Sequence, residues 1–159
     1  MKKTISRKDQ LYSEAVFQIL MEYEIIRTIR YPTPLSLIYL EMTPHASNGK
    51  APRSASVIFE TAFNSRLRSV DIPTRHEKGY LILLPMTNEA GARAVCERLL
   101  RIFDQDFETG EGKSVRFSLQ IGVSSHNGGP TLMKELLLRT AEAGLQQSRL
   151  QGVNAIGIL

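Results

Sequence analysis

The chain has no tryptophan, a single cysteine and three histidines in 159 residues, and each scarcity removes a class of protein. One cysteine, Cys96, excludes an intrachain disulfide. Its setting in "ARAVCERLL", at helical spacing, predicts a buried, inert thiol. His45, His76 and His126 stand far apart with no metal-ligand spacing, so they read as solvated loop residues and no metal is expected. Without tryptophan, and with no aromatics interleaved among the basic residues, a nucleic-acid platform is unsupported. The longest apolar run, Tyr80 to Met86, is far short of the roughly 20 residues that cross a bilayer. The basic opening "MKKTISRKDQ" is not followed by the apolar segment of a signal peptide, which predicts a cytoplasmic protein. Eleven glycines and seven prolines are too few for a fibrous or low-complexity chain.

Hydrophobic residues make up 42% of the sequence, enough for a core of its own, and the length suits one domain over residues 1–159. A net charge of +4 favours anionic partners without choosing among them. Ser13 can cap a helix in which Val16, Phe17, Leu20, Tyr23 and Ile26/Arg27 recur at spacings of three and four, to about Arg30. "YPTP" stops it, and "LSLIYL" (35–40) predicts a buried strand. Thr43 to Arg53 reads as a loop. A second helix, capped by Ser54, turns Val57, Ile58, Thr61, Ala62 and Ser65 inward. Val70–Thr74 and Tyr80–Leu84 predict a hairpin around "RHEKG". Thr87 then caps a third helix carrying Ala90, Ala94, Val95, Leu99 and Ile102. "TGEGK" leads into a strand over 115–123, a fourth helix runs from about Thr131 to Leu150, Gly152 closes it, and "NAIGIL" makes a last strand.

The order α β α β β α β α β contains a split βαβ unit, which predicts an α+β fold: a ferredoxin-like core of about five mostly antiparallel strands flanked by helices. The inner pair of helices covers one face, and the outer two are free to cover the other. Function on such a fold has to be read from its site.

Several segments, in order, resemble one family. "DQLYSEAVF" is similar to the entry segment of the GGDEF family of diguanylate cyclases, with Ser13, Glu14 and Ala15 where the family carries Asn and two Arg. "PLSLIYLE" resembles its first strand, with Glu41 at the place of a metal-binding Asp, and "SLQIGVS" resembles a later strand. "AEAGLQQSRLQGVN" resembles the closing A-D-x-A-L-Y-x-A-K-x-x-G-x-N: Glu142 takes the Asp position, Arg149 that of a phosphate-contacting Lys, and Gly152 and Asn154 match. The resemblance implies the fold just described and a place in bacterial cyclic di-GMP signalling.

The signature itself is replaced by "HEKGY" (76–80), one residue short in the turn. His76 and Glu77 bring bulk where Gly-Gly would admit a nucleotide, and Lys78 sets a cation where a carboxylate would hold Mg²⁺. No catalytic residue, metal or cofactor is therefore expected. "RSVD" fits the R-x-x-D motif at which the family binds cyclic di-GMP, and it makes Arg68 and Asp71 the candidate ligand-binding residues, with a local ion pair as the bland alternative. Arg27, Arg30, Arg66, Arg98 and Arg101 at helix ends and outer faces either complement helix dipoles or supply an anion patch. The expectation is an inactive GGDEF-like regulatory module with cyclic di-GMP, a protein partner or a second copy as its partners; a divergent active cyclase is the alternative. Read as starting at Met1, it carries no sensory segment ahead of the domain.

Overall fold

In the computed structural model, residues 11–47, 49–110 and 112–159 are described. Asp9 and Gln10 of the entry segment, Asn48 of the loop and Glu111 of "TGEGK" lie outside them. The elements are α1 (Glu14–Arg30), β1 (Leu35–Ala46), α2 (Ala55–Asn64), β2 (Ile72–His76), β3 (Gly79–Pro85), α3 (Glu89–Ile102), β4 (Phe107–Gly110), β5 (Lys113–His126), α4 (Lys134–Gln151) and β6 (Ala155–Ile158). The strands form one sheet in the order β2-β3-β1-β5-β4, antiparallel throughout, and β6 adds to β5 in parallel. This is the expected α+β architecture.

The sheet is buried on both faces because alternate strand residues feed two cores. Ile38, Leu40, Tyr80 and Ile82 meet Phe59, Phe63, Val95, Cys96 and Leu99 of α2 and α3. Leu35, Leu37, Tyr39, Leu81 and Leu83 meet Phe17, Met21 and Ile25 of α1 and Leu137, Ala141 and Leu145 of α4. The inner helices take one face and the outer helices the other, as the order of elements implies.

Local signals fix several ends. The Ser13 side chain accepts from the Val16 amide, 3.2 Å, and so caps α1. At the other end of the chain Gly152 terminates α4 at a φ of 112°.

Four expectations are corrected. β1 does not stop at Leu40: Thr43 to Ala46 pair with Ser118 to Val115 of β5. Pro44 is tolerated because β3 ends opposite Leu40, leaving β1 a free side where no amide donor is needed. The helix after β3 is capped by Asn88, whose Oδ1 accepts from the Gly91 amide at 2.9 Å, while Thr87 is buried. On α2 the buried residues are Ala55, Phe59, Glu60, Phe63 and Asn64; Val57 is exposed and Ser54 makes no side-chain cap bond. On α3 Ala92, Val95, Cys96 and Leu99 are buried, whereas Ala90 and Ala94 are exposed. β4 is an added strand, too short to show in a pattern.

Cys96 is fully buried, and burial pushes its thiol from an ordinary 9.0 up to about 12. The folded state thus holds a proton that the unfolded chain releases above pH 9. This contribution to stability is complete below pH 9 and is lost as the pH climbs toward 12, by a few kcal/mol in all at about 1.4 kcal/mol per unit. Thermal midpoints measured from pH 8 to 12 should fall for the native sequence and fall less steeply for Cys96→Ala.

Candidate functional site

Two places hold the residues singled out by sequence. The first is the middle of β1, at Leu40 and Glu41, where the β2–β3 hairpin turns. His76 pairs with Gly79, leaving Glu77 and Lys78 as a two-residue loop with both side chains exposed. Glu77 takes a φ of 51°, a left-handed bend that glycine adopts without strain. Glu77→Gly should therefore raise stability by about 0.5–1 kcal/mol, a midpoint shift of roughly 1–4 °C readable by calorimetry. Gly79 is required for another reason: a Cβ there would collide with the Leu40 carbonyl and press on Cγ of Glu41.

Around this turn the charges are already matched. Arg149 of α4 donates through Nη2 to Glu41 Oε1 at 2.5 Å. His76 Nδ1 lies 2.7 Å from Glu14 Oε2, and its ring meets Tyr39 edge-on at 5.4 Å. Burial, then the charges of Glu77, Glu41 and Glu142, push the Tyr39 phenol up to about 12. A divalent ion does not fit this donor set. Glu41 is neutralised by Arg149, a cation stands in the turn at Lys78, and no group of three or more His, Cys, Asp or Glu is spaced for a metal among the described residues.

The second place is the turn between α2 and β2. Asp71 receives Arg68 three times: the amide on Oδ2 at 2.8 Å, and Nε and Nη2 on Oδ1 at 3.0 and 2.7 Å. Arg68 Nη2 also donates to the Pro85 carbonyl and to Thr87 Oγ1, at 3.0 and 2.8 Å. Sequence places both Arg68 and Asp71 where both can face solvent; in the fold only Arg68 does. The Asp71 side chain is 1% exposed and that of Arg68 49%. The guanidinium borders an open depression of about 360 Å³, lined also by Pro34, Met86, Asn88, Val95 and Arg98. Arg98 is thus a second cation beside it, and Thr87 a positioning residue that sequence reads as a helix cap.

The histidines are not in loops. His45 is the penultimate residue of β1, with Nε2 2.8 Å from Ser118 Oγ, and His126 closes β5, its Nδ1 accepting from the Gly128 amide at 2.9 Å. One further polar cluster escapes sequence reasoning. Buried Glu60 accepts from Arg75 Nε at 2.7 Å and from the Tyr80 hydroxyl at 2.9 Å, tying α2 to the hairpin. Burial and the Glu60 carboxylate both raise the Tyr80 phenol above its usual 10.

No family model matches the sequence, and no curated protein matches it. Solved structures do match. The GGDEF domain of YfiN (TpbB) from Pseudomonas aeruginosa superposes with a TM-score of 0.75 at 16% identity, over 94% of this chain and 97% of that one. The coiled coil and GGDEF domain of DgcB from Caulobacter crescentus gives 0.77 at 11%, over 96% and 83%. The GGDEF domain of FimX from Pseudomonas aeruginosa gives 0.73 at 18%, over 96% and 95%. The chain has the GGDEF-domain fold. In this GGDEF-like domain the turn at Glu77 and Lys78, Glu41 in the middle of β1 and the closing helix with Arg149 come together, as the resemblance implies. Arg68 and its depression lie at the start of β1, next to Pro34. No described helix is long and apolar enough to cross a membrane.

Proposed function

We propose that residues 1–159 act as one cytoplasmic GGDEF-like regulatory domain that has lost cyclase chemistry, binds cyclic di-GMP through Arg68, and works through a protein contact. The observation that carries the reading is the unequal exposure of the Arg68–Asp71 pair. Asp71 spends both oxygens on Arg68, so it positions that side chain rather than accepting from a base. Arg68 in turn offers a half-exposed, oriented guanidinium beside Arg98, which suits a ligand with two phosphodiesters. The Glu41–Arg149 pair supports the loss of chemistry: the carboxylate that would hold a metal and the cation that would hold a phosphate face each other.

DgcB was crystallised with c-di-GMP, and the diguanylate cyclase SiaD from Pseudomonas aeruginosa with its activator SiaC. Those partners belong to those proteins, and they lend the ligand class and the idea of a protein contact to this one. Isothermal titration with cyclic di-GMP tests the reading. Binding is expected, weakened roughly ten- to a hundredfold by Arg68→Ala and little changed by Lys78→Ala. Binding that survives Arg68→Ala and vanishes with Lys78→Ala moves the ligand to the hairpin turn. Incubation with GTP and Mg²⁺ or Mn²⁺ should give no cyclic di-GMP on chromatography; product that disappears in Glu41→Ala reinstates the cyclase.

A further inference from the structure

We infer that Asn127 is a site of self-modification: the Gly128 amide nitrogen closes on the Asn127 side chain, with His126 as the base, and the residue converts to isoaspartate. The inference goes beyond the ligand reading and does not depend on it.

Where β5 gives way to the loop before α4, the sequence reads "HNGGPT" (126–131). An asparagine followed by glycine is the pair least hindered for ring closure, because no Cβ stands beside the attacking nitrogen. The chain has two such pairs, Asn48–Gly49 and Asn127–Gly128. Asn127 is exposed, so water reaches it. What sets it apart is the residue before it. The Gly128 amide donates to His126 Nδ1 at 2.9 Å. That lies within the roughly 2.6–3.2 Å reach of a general base for the proton it takes. Because Nδ1 accepts this bond it presents a lone pair, and the ring proton sits on Nε2, which donates to Thr131 Oγ1 at 3.0 Å. The imidazole is thereby held in the tautomer and orientation that can deprotonate this one amide.

The step balances within the chain. His126 Nδ1 takes the amide proton, and the electron pair left on nitrogen forms a bond to Asn127 Cγ, closing a five-membered imide. The Cγ–Nδ2 bond breaks, and Nδ2 leaves as ammonia with the proton that the imidazolium returns. Water then opens the ring. Opening at the α carbonyl runs the chain through the former side chain, as isoaspartate, which lengthens the backbone by a carbon and adds a negative charge.

The loop has no room for that carbon. Gly128 lies so close to the connection between α1 and β1 that a Cβ on it would stand 2.6 Å from the Thr33 carbonyl oxygen and 2.7 Å from the Thr33 amide nitrogen. Gly129 donates to the Thr28 carbonyl at 2.9 Å and so ties the loop to the last turn of α1. Lengthening the backbone between Asn127 and Gly128 drives these contacts apart, and the modified protein holds the end of α1 less firmly.

Incubation of the full chain at neutral pH and physiological temperature, followed by peptide mapping with mass spectrometry, tests it. The expected result is a mass gain of about 1 Da at Asn127, mostly as isoaspartate. His126→Gln keeps an acceptor beside the amide but removes the base, and it should slow conversion at Asn127 at least about tenfold. Conversion at Asn48 in the same sample should be unchanged, which separates loss of the base from a general loss of structure. Free imidazole should restore part of the rate at Asn127 in that variant. The converted protein, separated by ion exchange, should melt roughly 2–4 °C below the fresh one. Absence of conversion at Asn127 overturns the inference. Conversion of His126→Gln at the native rate overturns the role of His126, and an unchanged midpoint after conversion overturns the consequence for α1.

Discussion

Gly144→Ala should lower the thermal midpoint by roughly 5–12 °C, equivalent to about 2–4 kcal/mol, although alanine is the better helix former. The cause is the closeness of α4 to the sheet. A Cβ at Gly144 would stand 2.5 Å from the Gly157 carbonyl of β6 and 3.1 Å from the Val123 amide of β5. Reciprocally, a Cβ at Gly157 would collide with the Gly144 carbonyl, and one at Gly122 with the Ala141 carbonyl. All these obstacles are backbone, which cannot swing aside as a side chain can. Relief has to come from lifting the helix, and that opens the packing of Ala141 and Leu145. Gln147→Ala, on the exposed side of the same helix, should change the midpoint by no more than about 1–2 °C. Equal effects of the two substitutions in a melting experiment would refute the close approach.

Phe59→Ala should cost about 3–5 kcal/mol, enough to consume much of the stability of a domain this size. Phe59 is fully buried at the centre of an aromatic cluster. Its ring lies 4.5 Å from Phe103, 5.4 Å from both Phe63 and Phe117, and 5.3 Å from Tyr80. It therefore joins α2, α3, β3 and β5, and removal leaves a cavity that none of these elements can close alone. Val57→Ala, two residues away but exposed, should cost less than about 0.5 kcal/mol in the same denaturant titration.

That pair of substitutions also marks where sequence stops being informative. On α2 two apolar series compete, Val57 with Ile58 and Phe59 with Phe63, and their spacing alone does not say which meets the sheet. Elements bounded by strong local chemistry were legible: α1 between the Ser13 cap and Pro32, the β2–β3 hairpin around Lys78 and Gly79, the end of α4 at Gly152. Elements made by a distant partner were not. Thr43 to Ala46 is loop-like in composition and becomes strand because β5 lies alongside, and the four residues of β4 become strand for the same reason. The site divides in the same way. The residue types at 41, 68, 71 and 149 are visible in the motifs, but the burial of Asp71, the service of Thr87 to Arg68 and the closure of Glu41 on Arg149 are tertiary contacts without a local signature.

β1 carries one more consequence. From Leu35 to Leu40 it is hydrogen-bonded to β3 on one side and β5 on the other, and both faces are roofed by helices. Its amides can meet solvent only when the whole sheet comes apart, so deuterium should enter them last, at a free energy near that of global unfolding. The short outer strands β4 and β6 each lean on β5 alone, and their amides should exchange through smaller openings. The doubly paired part of this strand begins beside the Arg68 depression and stops just before Glu41. The two places are thus joined by the least yielding segment of the molecule, and a ligand at one moves the other as a rigid body or not at all.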